Sequence, residues 1–382
     1  MQPKRQPKVH TYSRKRRRKA SPGRMILSIG FTFLAAGAVG VVGYSIAKPI
    51  LQYSGAESSI TAESTAEPPE SGTVAEEAAV SSEAIPEATT EAADPVASVC
   101  QEGYVLPVSS LDSMQTFSAA VASARTLFPD GKLLVIPLKI SGGELRYQTS
   151  VELAKTCGAA KGSISLSEMV QTAQQQGWTP VAQLSLLQDH LLPDADADAG
   201  FRVTDGSRWL DNTKENGGKA WTSPFSTVTI QYLQDITEEV TTAGFSQIWC
   251  RDVIFPSFRD SDLTYIGESV QDPKRGQALV QLVNRLAQTA GNVPLWLETD
   301  ALAAADDTAE VFVPEQLNVS GTVLDFQAET GQAAAVLSQV QAKAPEMPLC
   351  IAAEAGADPA DEIQQLKTAA GQRTAGVVLA GK

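Results

Sequence analysis

Residues 165–187 read SLSEMVQTAQQQGWTPVAQLSLL and change period once, at a glycine. Over 165–176 apolar residues recur at helical spacing, whereas 180–187 is a near-continuous apolar run, the pattern of a parallel strand buried on both faces. Gly177 stands where a left-handed helix cap is wanted. The unit repeats along the chain. Further strands are expected at 104–108 (YVLPV), 133–139 (LLVIPLK), 247–255 (QIWCRDVIF), 294–299 (PLWLET), 321–327 (GTVLDFQ), 348–354 (PLCIAAE) and 376–380 (GVVLA). Amphipathic stretches at 113–127, 227–243, 274–290, 331–344 and 359–370 lie between them, with Gly244 and Gly291 as further caps. Eight strands alternating with helices predict an α/β fold, a (β/α)8 barrel over 96–382. An open doubly wound sheet is the alternative, but no Gly-rich phosphate loop follows the first strand.

Before the barrel the composition changes twice. Residues 25–47, MILSIGFTFLAAGAVGVVGYSIA, are 23 residues without a charge, enough at 1.5 Å per residue to cross a bilayer core of roughly 30 Å. That length favours an uncleaved signal anchor over a cleaved leader. The 24 residues before it hold ten Lys or Arg and no acid, which predicts a cytoplasmic N-terminus and an extracellular C-terminal domain. RKRRRK could instead mark a nucleic-acid patch, but its place beside the span makes topology the better reason. Residues 48–95 are dominated by Ala, Glu, Ser, Thr and Pro; from 54 they carry ten acids and no base, and read as a disordered spacer. The domain that follows keeps 34 acids against 19 basic residues. Such a balance argues against nucleic acid as a partner.

Four cysteines are too few for a disulfide scaffold. Cys250 and Cys350 fall in strand patterns and read as small buried hydrophobes, while Cys100 and Cys157 are a candidate bridge.

A barrel carries its chemistry at the C-terminal strand ends and the loops after them. Those positions hold Lys139, Asp189, Arg251, Asp252, Glu298, Asp300, Asp325 and Glu354. The longest excursion, 189–224, adds Trp209 and Trp221, whose indole faces suit sugar rings; Trp249 and Trp296 stay open between stacking and core packing. Asp194, Asp196, Asp198 and Asp205 have a calcium-loop spacing, but Ala199 stands where that loop needs glycine. His190 is the single histidine beyond the tail and reads as a loop residue. No metal or cofactor is expected.

Four segments carry a resemblance: VIPLKISGGELRY (135–147), PVAQLSLLQD (180–189), DGSRWLDNTKENGGKAWTSPF (205–225) and AGFSQIWCRDVIFPS (243–257). In this order they resemble a bacterial glycoside-hydrolase-like family with a (β/α)8 barrel and unassigned function. In that family the fourth strand reads like GFDEIQFDYVRFPS, with an Asp as expected catalytic carboxylate. Aligning FPS puts Arg251 at that Asp and Asp252 at the following Tyr. The second strand keeps Lys139 but has Pro137 and Ile140 at acidic positions, and the third has Gln183 for an Arg while retaining Asp189. Since strand side chains alternate faces, Asp252 is expected to point away from the pocket unless a bulge re-aims it.

An Arg can be neither general acid nor nucleophile in glycoside hydrolysis, which needs two carboxyl groups. Two readings follow. The preferred one is a barrel that has lost or altered catalysis and binds polysaccharide or cell-wall glycan through Lys139, Asp189, Trp209, Trp221, Arg251 and Glu354. The alternative is an active hydrolase with relocated carboxylates, Asp252, Glu298 and Asp325. Two carboxyl groups within about 10 Å across an open pocket would favour the enzyme.

Overall fold

The computed structural model describes residues 101–266, 270–271, 274–326, 333–355, 359–370 and 374–381. The tail at 1–24, the span at 25–47 and the linker at 48–95 lie outside the described residues. Eight parallel strands close into a barrel in sequence order: β1 (Gly103–Val105), β2 (Leu133–Lys139), β3 (Thr179–Ser185), β4 (Gln247–Arg251), β5 (Leu295–Asp300), β6 (Gly321–Phe326), β7 (Leu349–Glu354) and β8 (Thr374–Ala380).

The helices, in chain order, are α1 (Met114–Leu127), α2 (Glu152–Thr156), α3 (Leu166–Gln175), α4 (Leu191–Ala195), α5 (Thr227–Thr242), α6 (Asp260–Ile266), α7 (Lys274–Ala290), α8 (Ala301–Ala305), α9 (Ala333–Lys343) and α10 (Pro359–Ala370). Local chemistry fixes their ends. Ser165 and Glu168 form a capping box at the start of α3, satisfying amide groups that have no partner in the helix. Gly177 and Gly244 follow α3 and α5 with φ of 75° and 91°, the left-handed conformation expected of them.

The strands bury both faces. Outward side chains pack under the helices, while Leu133, Val135, Val181, Trp249, Trp296, Val323, Cys350 and Val378 fill the interior. Trp249 and Trp296 are fully buried and paired in register, so both are core and neither stacks on ligand. The absence of a side chain at Gly321 makes room for this layer, since a Cβ there would lie 2.3 Å from the Trp296 ring. Trp178 also packs, with the Arg125 guanidinium 3.7 Å above its ring.

Two cysteine expectations change. Cys157 is free, so it does not pair with Cys100, and Cys350 is disulfide-bonded rather than a free buried thiol. Cys250 is free and buried as expected.

Candidate functional site

Strand register builds the site. Trp249 pairs with Trp296, so Arg251 and Glu298, each two residues further along, sit side by side on the inward face above the tryptophan layer. Glu298 is in turn aligned with Val323, and Asp325 lies two residues beyond it. Three of the predicted residues are therefore brought together by the two-residue strand period.

Asp252 arrives by another route. Its φ is 53°, a left-handed conformation rarely adopted by residues other than glycine and asparagine or aspartate. This turn ends β4 and overturns the expectation that Asp252 faces away from the pocket. Its Oδ2 accepts hydrogen bonds from Ser141 Oγ at 2.7 Å and Ser185 Oγ at 2.5 Å, and its carbonyl accepts from the Leu187 amide at 3.2 Å. Neither serine stood out in the sequence, although Ser185 is two places beyond Gln183 on the same strand face.

Arg251 Nε lies 3.6 Å from Asp252 Oδ2 and 3.8 Å from Glu298 Oε1. The two separations cap the distance between those carboxylate oxygens at about 7.4 Å, which admits the spacing of a retaining pair and the short end of an inverting pair. Glu298 is 7% exposed, and Gln183 Nε2 donates to its Oε2 at 2.6 Å. Burial pushes its carboxyl up to about 7; Arg251 pulls the other way, and Asp325 adds to the rise. Arg251, although burial opposes its charge, is held above the usual arginine value by Glu298, Asp252 and Asp325.

Arg251, Asp252, Glu298, Asp300 and Asp325 all line one cavity of about 360 Å3. Asp300 serves there also as the cap of α8, accepting from the Ala303 amide at 2.7 Å. Part of the same lining is a clamp that sequence reasoning missed. Arg275 lies over the Phe255 ring at 4.9 Å and pairs with both oxygens of Glu310, at 2.7 and 3.1 Å, tying the loop after β4 to the loop after α8.

Several expected binding residues lie elsewhere. Lys139 and Asp189 have side chains 0% and 1% exposed and pair with each other at 2.8 Å. Lys139 Nζ also donates to the Ser185 carbonyl, and Asp189 Oδ1 accepts from the Leu191 and Leu192 amides. They brace the strand ends and do not face ligand. Trp209 is 4% exposed, wedged between Phe201 and Phe258, and so offers no open face. Glu354 is exposed at the end of β7 and is not part of the cavity lining. Trp221 is half-buried and borders a neighbouring groove. Of the acidic run in the long excursion, Asp194 and Asp198 are taken by Arg208 and Arg202.

Residues 126–300, from α1 to the end of β5, match the model of a family described as "Putative glycosyl hydrolase domain". The match bears out the resemblance read from the sequence and contains Arg251, Asp252 and Glu298. No curated protein matches the chain. Among solved structures, a hypothetical protein from Ruminiclostridium thermocellum is similar at 17% identity and TM-score 0.42, over 51% of this chain and 96% of its own. The glycoside hydrolase domain of PelA from Pseudomonas aeruginosa is similar at 13% identity and TM-score 0.43, over 74% of this chain and 95% of its own. Aspergillus fumigatus Ega3 in complex with galactosamine gives 14% identity and TM-score 0.38, over 73% and 89%.

Proposed function

We propose that this chain is a membrane-anchored, extracytoplasmic glycoside hydrolase whose carboxyl pair has moved to Asp252 and Glu298. The observation that carries the reading is the left-handed backbone at Asp252, which returns a carboxylate to the pocket although Arg251 holds the expected strand position. Glu298, with its carboxyl raised to about 7, suits the general acid that protonates the glycosidic oxygen. Asp252 then supplies the carboxylate that attacks the anomeric carbon or activates the attacking water. Arg251 Nε lies beside both carboxyl groups and pairs with the charge left on Glu298 once its proton has gone. Asp325 deepens the acidic wall of a site that suits neutral glycans better than acidic ones.

Anchoring through 25–47, with 1–24 in the cytoplasm and 48–95 as a spacer, rests on the uncharged run and the ten basic residues before it. The disulfide at Cys350 supports an oxidising, extracytoplasmic setting for 96–382. Among the described residues no helix is long and apolar enough to cross a membrane. Membrane fractionation followed by protease treatment of intact cells tests the topology: the barrel should be digested from outside, and its protection would reverse the orientation.

The full-length protein in detergent should release reducing ends from at least one of a panel of cell-wall and dietary polysaccharides. Asp252→Asn and Glu298→Gln should each lower that rate by about 10²–10⁴-fold. A second reading, glycan binding with catalysis lost, is favoured by the guanidinium lying between the two carboxylates. An inactive wild type that gains activity on Arg251→Asp would establish it.

A further inference from the structure

We propose that the ligand is an extended oligosaccharide laid across two adjoining cavities, with Trp221 as the stacking platform of the distal one. The inference rests on the glycan reading above. The cavity beside Glu298 and a shallower groove of about 510 Å3 share Ile254 and Phe255 in their linings. Ile254 is 49% exposed on this shared edge, and Phe225, 38% exposed, has its ring centroid 5.8 Å from that of Phe255. Ile254 therefore presents an exposed apolar edge between a pocket of carboxyl groups and an indole.

The groove has the chemistry of a sugar subsite. Trp221 supplies a broad apolar face, and Asp211, Asn212, Asn216 and Lys219 surround it with acceptors and donors. A pyranose presents the same combination, a C–H face ringed by hydroxyls. The platform is preset. Trp221 Nε1 donates to Asp211 Oδ2 at 3.1 Å, while Asp211 Oδ1 accepts from the Lys219 amide at 2.7 Å. Little conformational freedom is then left to lose when a ring stacks there. The pocket beside Glu298 lies at the small end for ligand sites and takes a short piece of glycan, so affinity for a polymer needs the second cavity.

Cello-, malto-, xylo- and chito-oligosaccharides of one to six units, titrated into the full-length protein by calorimetry, test this. For the series that binds, affinity should rise with length, and Trp221→Ala should erase that rise, weakening the longest member by about tenfold so that long and short bind alike. Trp221→Phe, which keeps a smaller ring, should retain part of the rise. Affinity independent of length in the wild type, or an equal loss at every length in Trp221→Ala, overturns the two-cavity ligand while leaving the Glu298 pocket as a glycan site. Binding by no series at any length removes the glycan reading and this inference with it.

Discussion

Asp252 and Glu298 direct their carboxylates at one nitrogen, Arg251 Nε, although one sits beyond the end of β4 and the other on the inward face of β5. The convergence depends on a single unusual dihedral. If Asp252 kept strand geometry its side chain would leave the pocket, and Arg251 would face Glu298 and Asp325 alone.

Replacing Asp252 by glycine separates backbone from carboxylate. Glycine adopts a φ near 53° without the strain of roughly 1 kcal/mol or more that other residues meet there. Asp252→Gly should therefore hold its melting temperature near wild type while losing reducing-sugar release. Asp252→Ala should lose both, because alanine must carry the strain without the serine hydrogen bonds.

Glu298 makes stability depend on pH in a defined window. Its carboxyl is raised from 4.5 to about 7, so the folded state holds a proton that the unfolded chain releases. The stability this provides is complete below about pH 4.5 and is lost as pH rises through 7, on the order of 3 kcal/mol in all. Glu298→Gln cannot ionise. Its melting temperature relative to wild type should climb between pH 5 and pH 8, and a flat difference would show that the carboxyl is not raised.

The buried pair Lys139 and Asp189 should behave as a unit. Lys139→Met leaves a buried carboxylate without its cation and is expected to cost about 3–5 kcal/mol in urea unfolding. Lys139→Met combined with Asp189→Leu should recover part of that loss, limited by the two amides that Asp189 Oδ1 accepts. The second change acting additively with the first would contradict the pairing.

Cutting the clamp should loosen one wall of the pocket. Arg275→Ala removes both the stack on Phe255 and the two contacts to Glu310. Hydrogen exchange should rise in the loops around 255 and 310, with global stability falling by about 1 kcal/mol. Unchanged exchange in both loops would mean that each is held by its own packing.

The barrel was legible because its signal is redundant. Eight apolar runs and the helices between them each recorded the same alternation, and the run at 133–139 coincides with β2. Ends were less secure. The strand expected over 247–255 stops at Arg251, since the hydrophobic pattern of VIF continues past a left-handed turn that it cannot encode. The short helices α2, α4, α6 and α8 have too few turns to show a period. At the site, strand ends are recoverable from the fold alone, which is why the sequence singles out Arg251, Glu298 and Asp325. Which of them meet is not. Lys139 and Asp189 looked like ligand groups until their mutual burial was visible, and Trp209 until Phe201 and Phe258 closed over it. Ser141, Ser185 and Arg275 have no sequence signature because their roles depend on partners far along the chain.

β1 hydrogen-bonds to β8 as well as to β2, with Gly103 aligned to Val378. The first strand therefore waits for one of its two neighbours until nearly the whole barrel has been synthesised, tens of seconds at ribosomal rates of about 5–20 residues per second. Throughout that interval an apolar strand edge stays open. Folding of the chain must include a means of keeping that edge from pairing with other chains, and slow or interrupted translation of the last strand should appear as aggregation rather than as a folded but weakened protein.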